Sequence, residues 1–173
     1  MSKFMVFIIA MMAAGAAYGD TVSGSLNGHR FALSGASGDF TLTADGRVVL
    51  HDTRDQSVSV AGTYAFGASS SSFVSSSANG SVISSSSSGG SGESYGVVLI
   101  AERAPGGGCP LKFQALILGG TTILSKPFGS CSESREISQI NGRIVVMTPR
   151  LDGPGDEVDT ITAGGVRTGF TPN

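Results

Sequence analysis

Cys109 and Cys131 are the residues whose type and spacing say most about chemistry, because the chain has no other cysteine. They lie 22 positions apart, which is not the C-x-x-C spacing of a redox-active pair. The two histidines, His29 and His51, come much earlier in the chain, so we predict no Cys/His metal site. An even number of cysteines in an exported chain predicts a structural disulfide, which would contribute about 3 kcal/mol by restricting the unfolded chain.

The predicted disulfide would clamp a loop that is suited to recognition. The segments 111–118 and 121–125 have the composition of two strands that pair across a Gly-Gly turn, which places both cysteines at one end of the hairpin. Binding residues are often carried by loops that a rigid scaffold holds in place. Phe128 has a second interpretation, in which its ring packs beneath the disulfide. The candidate binding residues are Lys126, Pro127, Phe128 and Arg135.

The region around the cysteines also carries a resemblance to other proteins. The runs "CPLKF" (109–113) and "FGSCS" (128–132) resemble a C-P-x-x-aromatic … F-G-x-C-S pattern of small exported bacterial proteins. The resemblance covers residues 105–149. It implies export and a structural disulfide, and it implies no activity.

Residues arranged for catalysis are scarce. The chain has no G-x-S-x-G elbow, no H-E-x-x-H motif and no Walker-type loop. His51 has carboxylate neighbours, of which Asp52 is the nearest, but its polar surroundings favour a solvated strand end. We therefore predict that the protein is not an enzyme and that it needs no cofactor.

The acidic run "DGPGDEVD" (152–159) raises the question of a metal ion. It lacks the D-x-[DN]-x-[DN]-G order of an EF-hand loop. Short charge runs are usually solvated, so we predict no bound metal, with Ca²⁺ binding as the alternative. The Ca²⁺ candidates are Asp152, Asp156 and Asp159.

The N-terminal run "MSKFMVFIIAMMAAGAAYGD" has the layout of a secretory signal: one lysine, an apolar stretch, and small residues before a cleavage point. It predicts a signal peptide over residues 1–19 and a periplasmic or secreted mature chain over residues 20–173. The apolar stretch is shorter than the roughly 20 residues that span a bilayer. We expect no membrane span in the mature chain.

The charge balance argues against nucleic acid as a partner. The chain has 11 basic and 13 acidic residues, and removal of the signal peptide would take away the basic Lys3. The remaining basic residues are scattered singly, whereas nucleic-acid binders usually present a clustered basic face.

Composition and patterning predict an all-β protein. Glycine is abundant and charge is sparse, which disfavours helices, and apolar residues alternate in "HRFALS", "DFTLT" and "SVSVAGTYAF". The apolar run "VVLI" (97–100) predicts a central strand covered on both faces. The run "CSESREISQI" (131–140) allows a helical turn, and a short strand is expected near 158–162. The prediction is a single antiparallel β-sandwich or barrel-like domain over residues 20–173.

The serine-rich tract at residues 67–93 has two interpretations. A β-hairpin is favoured by a central Asn79-Gly80 turn between the apolar pairs at 73–74 and 82–83. A flexible insertion or loop excursion is favoured by the Ser/Gly composition, which buries few apolar atoms.

The sequence thus favours an exported, non-enzymatic β domain that binds an unknown protein or an envelope component. The alternative is a structural protein of the cell envelope or surface that uses the serine-rich tract as a spacer. A hydrolase without a recognisable motif is the third possibility.

Overall fold

A computed structural model describes residues 21–36, 38–54, 57–67, 71–75, 84–87, 94–104 and 108–172. These residues form fourteen strands and no helix. In chain order the strands are β1 (Thr21–Leu26), β2 (His29–Ala36), β3 (Asp39–Ala44), β4 (Arg47–Asp52), β5 (Ser57–Phe66), β6 (Ser71–Ser75), β7 (Ser84–Ser87), β8 (Tyr95–Arg103), β9 (Lys112–Leu118), β10 (Ile123–Leu124), β11 (Glu136–Ile140), β12 (Arg143–Pro149), β13 (Asp156–Thr162) and β14 (Gly165–Thr171). Over this part of the chain, no helix has the length and apolarity that crossing a membrane requires.

The strands form three sheets. Sheet A has the order β4-β3-β2-β1-β6, sheet B has the order β10-β9-β8-β5-β7, and sheet C has the order β11-β12-β13-β14. All pairs are antiparallel except β5 with β7, which run parallel. The all-β prediction is confirmed, and of the two shapes it allowed the sheets adopt an open, layered arrangement and do not close into a barrel.

Tight turns with left-handed backbone connect neighbouring strands. Three such turns have positive φ at both central residues. Two of them have the sequence Asn-Gly, which favours this conformation in hairpins. The turns are Asn27-Gly28 (φ 52° and 85°), Asp45-Gly46 (49° and 76°) and Asn141-Gly142 (49° and 73°).

Sheet B lies between the other two sheets, and β8 shows this most clearly. Val98 and Ile100 belong to the apolar core shared with sheet A. Val97 and Leu99 belong to a second core, shared with sheet C. All four side chains have no exposed area. The prediction that this apolar run forms a central strand covered on both faces is confirmed, and each such side chain stabilises the fold by about 1.5–3 kcal/mol through burial.

The serine-rich tract contributes two strands, and they do not pair with each other. Strand β6 pairs with β1 in sheet A, whereas β7 pairs with β5 in sheet B. This differs from a hairpin, whose two arms would pair within one sheet. The expected turn at 79–80 and the apolar pair at 82–83 lie outside the described residues, as does the signal peptide at 1–19.

The C-terminal third is more regular than its sequence suggests. The run in which a helical turn was expected contains β11, so that expectation is wrong. The short strand expected near 158–162 is the second half of β13, and β14 follows it with seven further residues in register.

Candidate binding surface

The two cysteines form the predicted disulfide, with their Cα atoms 4.6 Å apart. The bond joins the segment before β9 to the connection between β10 and β11. An intact disulfide is typical of an oxidising compartment, which fits an extracytoplasmic location.

Phe128 anchors the disulfide loop to the core. It forms an antiparallel bridge with Phe113, in which the two backbone amides donate to the partner carbonyls over 2.9 and 2.8 Å. Its side chain is buried, and the ring centroids of Phe113 and Phe128 lie 6.0 Å apart. Gly129 follows with φ 96°, and a Cβ there would lie 3.3 Å from the Phe113 ring. The interpretation in which Phe128 packs inward is therefore the one that the structure shows.

The other three candidate loop residues are exposed. Lys126 and Pro127 precede the buried Phe128. The guanidinium of Arg135 lies 5.8 Å from the centroid of the Phe113 ring, on the far side of the disulfide in sequence. Because Phe128 is buried, this loop offers a partner no aromatic anchor, and Pro127 is its exposed apolar residue.

The structure does not bring the three acidic candidates, Asp152, Asp156 and Asp159, together. Asp152 is 79% exposed and pairs with Arg150 at 3.0 Å, and this hydrogen bond lowers the pKa of Asp152. Asp159 is completely buried. Asp156 and Asp159 are three residues apart on β13, so their side chains point to opposite faces of the sheet. Within the described ranges, no three His, Cys, Asp or Glu side chains are grouped to hold a metal ion.

The histidines are not arranged for nucleophilic catalysis. His51 contacts Thr41 through Nδ1 at 3.1 Å, and the same nitrogen lies 3.8 Å from the Asp39 carboxylate. A catalytic triad needs one ring nitrogen for the nucleophile and the other for the carboxylate. His29 pairs with Asp45 at 2.8 Å, and this hydrogen bond lowers the pKa of Asp45.

Asp52 and Glu102 are buried carboxylates. The sequence drew attention to Asp52 only as a neighbour of His51 and did not predict the burial of either residue. The exposed Arg54 reaches both of them, with Nη2 at 2.5 Å from Asp52 and 3.6 Å from Glu102. Burial raises the pKa of Glu102, while the charge of Arg54 opposes this shift. Both residues end apolar strand runs, and that position is the one signal by which the sequence could have marked them.

Asp159 is a further buried carboxylate, on the face of β13 that is turned toward sheet B. Burial raises its pKa to about 6, and the charge of Glu157 adds to this shift. The hydroxyl of Thr168 donates a hydrogen bond to Asp159 Oδ1, which acts in the opposite direction together with the charge of Lys112. The ionised form of Asp159 is therefore destabilised by burial, and the packing around β13 holds the side chain in place despite this cost.

The outer face of sheet C carries an open groove, the C-face groove, of about 660 Å³. Because side chains alternate along a strand, the residues between the buried positions of β12 and β13 point to this face. The groove residues used below are Arg143, Val158, Thr160, Thr162, Arg167 and Gly169.

Two arginines stand on either side of β13 in this groove. Arg143 is on β12, next to the residue that pairs with Ile161, and Arg167 is directly opposite Thr160 on β14. Neither arginine forms an ion pair with any residue that the structure describes. The carboxylates of the same face, Glu136 and Asp156, lie toward its other end.

Apolar side chains continue the floor of the face between these charged ends. Met147 pairs with Val158, and Val145 pairs with Thr160. All four are partly exposed. The face therefore combines an apolar strip, threonine hydroxyls and two cations that form no ion pair with a described residue, whereas the loop at the disulfide has its aromatic side chain buried and only Pro127 as an exposed apolar group.

One edge of the groove is a free strand. β14 pairs with β13 through seven residue pairs without a register shift, and in the described part of the chain no strand pairs with its other side. All residues from Arg167 to Thr171 are exposed, and Phe170 is 61% exposed.

With the fold and this surface in view, the class of protein is a three-layer, disulfide-bonded all-β protein. Comparisons of the chain with protein-family models, with curated proteins and with solved structures gave no match. Any inference about a ligand of the groove must therefore be drawn from the side chains that line it.

Proposed function

We propose that the protein is an exported, non-enzymatic binding domain that recognises a protein partner through the C-face groove. The observation that carries this proposal is the pair Arg143 and Arg167, which flank a groove of about 660 Å³ without an ion pair among the described residues. Exposed cations beside an apolar strip are suited to a partner surface that is apolar and carries carboxylates.

The groove side chains define the chemistry of that partner. A guanidinium binds a carboxylate through two parallel hydrogen bonds, which gives direction as well as charge. The hydroxyls of Thr160 and Thr162 both donate and accept hydrogen bonds, so they suit the polar backbone of a peptide. Val158 supplies apolar contact next to Thr160, on the side away from Thr162.

The groove is preferred to the disulfide loop as the recognition site. The loop keeps Lys126, Pro127 and Arg135 at the surface, but its Phe128 belongs to the core. Aromatic and arginine side chains supply most of the energy at binding hot spots, and a buried ring cannot contribute in this way.

Export is the second part of the proposal, with a periplasmic or secreted location. It is supported by the disulfide between Cys109 and Cys131, because such bonds persist in oxidising compartments. It is also supported by the sequence of residues 1–19, which has the layout of a signal peptide. N-terminal sequencing of the protein taken from its native compartment tests this part.

The other two functions have less support. A spacer over the whole serine-rich tract is disfavoured because β6 and β7 are paired into sheets A and B. A hydrolase is disfavoured because Thr41 and Asp39 meet His51 at the same nitrogen.

A peptide-display selection on the mature chain tests the binding function. We expect the enriched random peptides to carry Asp or Glu next to apolar residues, and their binding to weaken as salt is added. The double variant Arg143→Glu/Arg167→Glu should weaken binding on the order of tenfold or more. The matched control Arg30→Glu/Arg47→Glu makes the same charge change on sheet A and should leave binding unchanged. Equal loss in both variants, or enrichment of basic peptides, would contradict the proposal.

A further inference from the structure

We infer that the partner binds as an extended peptide that adds an antiparallel strand to β14. This inference rests on the proposed function and specifies how the C-face groove is used. An edge strand presents a row of backbone amides and carbonyls without partners, and a peptide that pairs with them gains affinity from its main chain and specificity from alternate side chains.

The edge at β14 is unprotected, in contrast to the edge of sheet A. At β4 the pairing is interrupted by a bulge between Leu42 and Thr43, which is a common way to blunt an edge. β14 has no bulge and no proline within its seven residues. A regular, exposed edge of this length can accept a strand along its whole course.

The groove begins at this edge, because Arg167 and Gly169 line it from β14 itself. Side chains of the added strand that point to the same face would stand directly beside these two residues. An acidic side chain opposite Arg167 would contact its guanidinium. Arg143 lies two strands further in, about 10 Å from β14, so it would act on the peptide through longer-range charge.

Gly169 provides the second specificity contact. A Cβ at this position would have only the Val158 carbonyl oxygen near it, at 3.9 Å, so the space above the glycine is open. A large side chain on a neighbouring strand covers such a gap in a sheet. On the opposite face, the Arg150 guanidinium lies 5.0 Å from the centroid of the Phe170 ring, and the ring remains 61% exposed, which favours an apolar neighbour.

These contacts define a pattern in the partner. Sheet C is antiparallel throughout, so the added strand runs opposite to β14 and meets Phe170 before Arg167. Read in its own direction, the peptide carries an apolar residue, a large apolar or aromatic residue, any residue, and an acidic residue. The first of these lies over Phe170, the second over Gly169 and the fourth over Arg167.

A second copy of this chain is a poorer occupant of the edge. Pairing of β14 with β14 of another copy would bring the Arg167 of both copies to one seam, with each Arg143 two strands away. The two Arg167 guanidiniums, which form no ion pair with a described residue, would repel each other. An acidic peptide neutralises the same charges.

Peptides methylated on the backbone nitrogen test strand addition. The probe is an acetylated, fluorescent nonapeptide that contains leucine, phenylalanine, threonine and glutamate in this order. Two versions of the peptide are methylated at alternate nitrogens, and the two sets of positions are offset by one residue. In one version, or phase, methylation removes the amide hydrogens that face β14. In the other phase it removes the amide hydrogens that face solvent. We expect one phase to weaken binding on the order of tenfold or more and the other to leave it unchanged. Equal affinity of the two phases would overturn strand addition.

A variant of the groove provides the second test. Gly169→Val fills the gap above the glycine without a close contact in the fold, so its melting temperature should match that of the parent protein. The variant should weaken binding of the phenylalanine-containing peptide several-fold. Binding of a peptide with alanine in place of this phenylalanine should be unchanged. Equal effects on both peptides would remove the assigned contact at Gly169.

The outcomes separate this inference from the proposed function. If the nonapeptide binds, loses affinity in Arg143→Glu/Arg167→Glu and is indifferent to the phase of methylation, the groove function stands and strand addition fails. If no acidic peptide depends on these arginines, the groove function itself fails. A concentration-dependent dimer in sedimentation that Arg167→Glu strengthens would assign the edge to a second copy and overturn the peptide partner.

Discussion

Sheets A and C occupy equivalent positions, since each packs one face on sheet B and has an outer face that no other described strand covers, yet these outer faces differ. The outer face of sheet A has a groove of about 370 Å³ lined mainly by small residues such as Ser23, Ser25 and Ala32. That groove is lined by one arginine, Arg30, whose backbone nitrogen donates a hydrogen bond to the Asp45 carboxylate over 2.8 Å. The groove of sheet C is lined by two arginines, and neither forms an ion pair with a described residue. A shared layer position therefore does not imply a shared role, because charge and side-chain size distinguish the two surfaces.

The largest effects are expected in sheet B, where the two outer sheets depend on opposite faces of one strand. Ile100→Ala opens a cavity toward sheet A, and Leu99→Ala opens one toward sheet C. Each should lower the free energy of unfolding by about 2–5 kcal/mol, since each removes a fully buried side chain. Urea denaturation measures both. A loss below 1 kcal/mol for one variant alone would mean that its outer sheet contributes little to the stability of the whole.

Removal of the disulfide should come next and should act on the side of sheet C. The double variant Cys109→Ser/Cys131→Ser is expected to lower the free energy of unfolding by about 2–4 kcal/mol, because the unfolded chain gains freedom. Urea denaturation in the absence of reductant gives this value. Addition of reductant to the parent protein should lower its free energy of unfolding by the same amount. An unchanged urea midpoint would show that the disulfide does not stabilise the fold.

Asp159, on sheet C, and Asp45, on sheet A, should make opposite contributions to the pH dependence of the free energy of unfolding. Burial raises the pKa of Asp159 to about 6 in the folded protein, from 3.8. Its contribution to stability is therefore complete below pH 3.8 and is lost as the pH rises from 3.8 through 6, at a cost of about 3 kcal/mol. Asp159→Asn should remove this loss and be more stable than the parent protein at pH 7.

The matched carboxylate on sheet A has the opposite sign. The hydrogen bond from His29 lowers the pKa of Asp45, so its contribution is present above pH 3.8 and is lost as the pH falls further. Asp45→Asn should therefore reduce stability at neutral pH and leave it unchanged in acid. Urea midpoints of both variants from pH 3 to pH 8 provide the comparison, and parallel curves for the two would contradict the assignment.

The smallest effects are expected at exposed cations near the disulfide. Arg135→Ala removes a guanidinium that lies 5.8 Å from the Phe113 ring, and it should cost about 0.5–1 kcal/mol. Lys126→Ala serves as the control, because Lys126 is exposed and next to the same loop. Thermal melting resolves this difference, and equal melting temperatures would show that the ring contact is energetically neutral.

Much of the fold was predictable because its signals are local. The Asn-Gly turns, the alternation in β2, β3 and β5, and the apolar run of β8 all depend on residues close in sequence. The disulfide was predictable from cysteine count and inferred compartment. The inward position of Phe128 was one of two interpretations, because its flanking residues suit a loop and a core anchor equally.

The candidate binding surface was not predictable in the same way. β14 has the sequence "GVRTGFT", whose two glycines and exposed positions give no clear alternation. It becomes a strand because β13 offers it seven partners in register. Arg143 and Arg167 lie 24 positions apart along the chain, and only the antiparallel return of β13 and β14 brings both to one face.

The sequence by itself determined that this protein is built of strands, where several of them turn, and which two sulfur atoms are joined. These features follow from backbone preferences and from the number of cysteines, both of which act over short distances or without regard to geometry. Only the tertiary structure decided which sheet each serine-rich strand joins, which carboxylates are buried, and that Arg143 and Arg167 share the outer face of sheet C. Those features depend on strand order and register, which are set by packing between segments far apart in the chain.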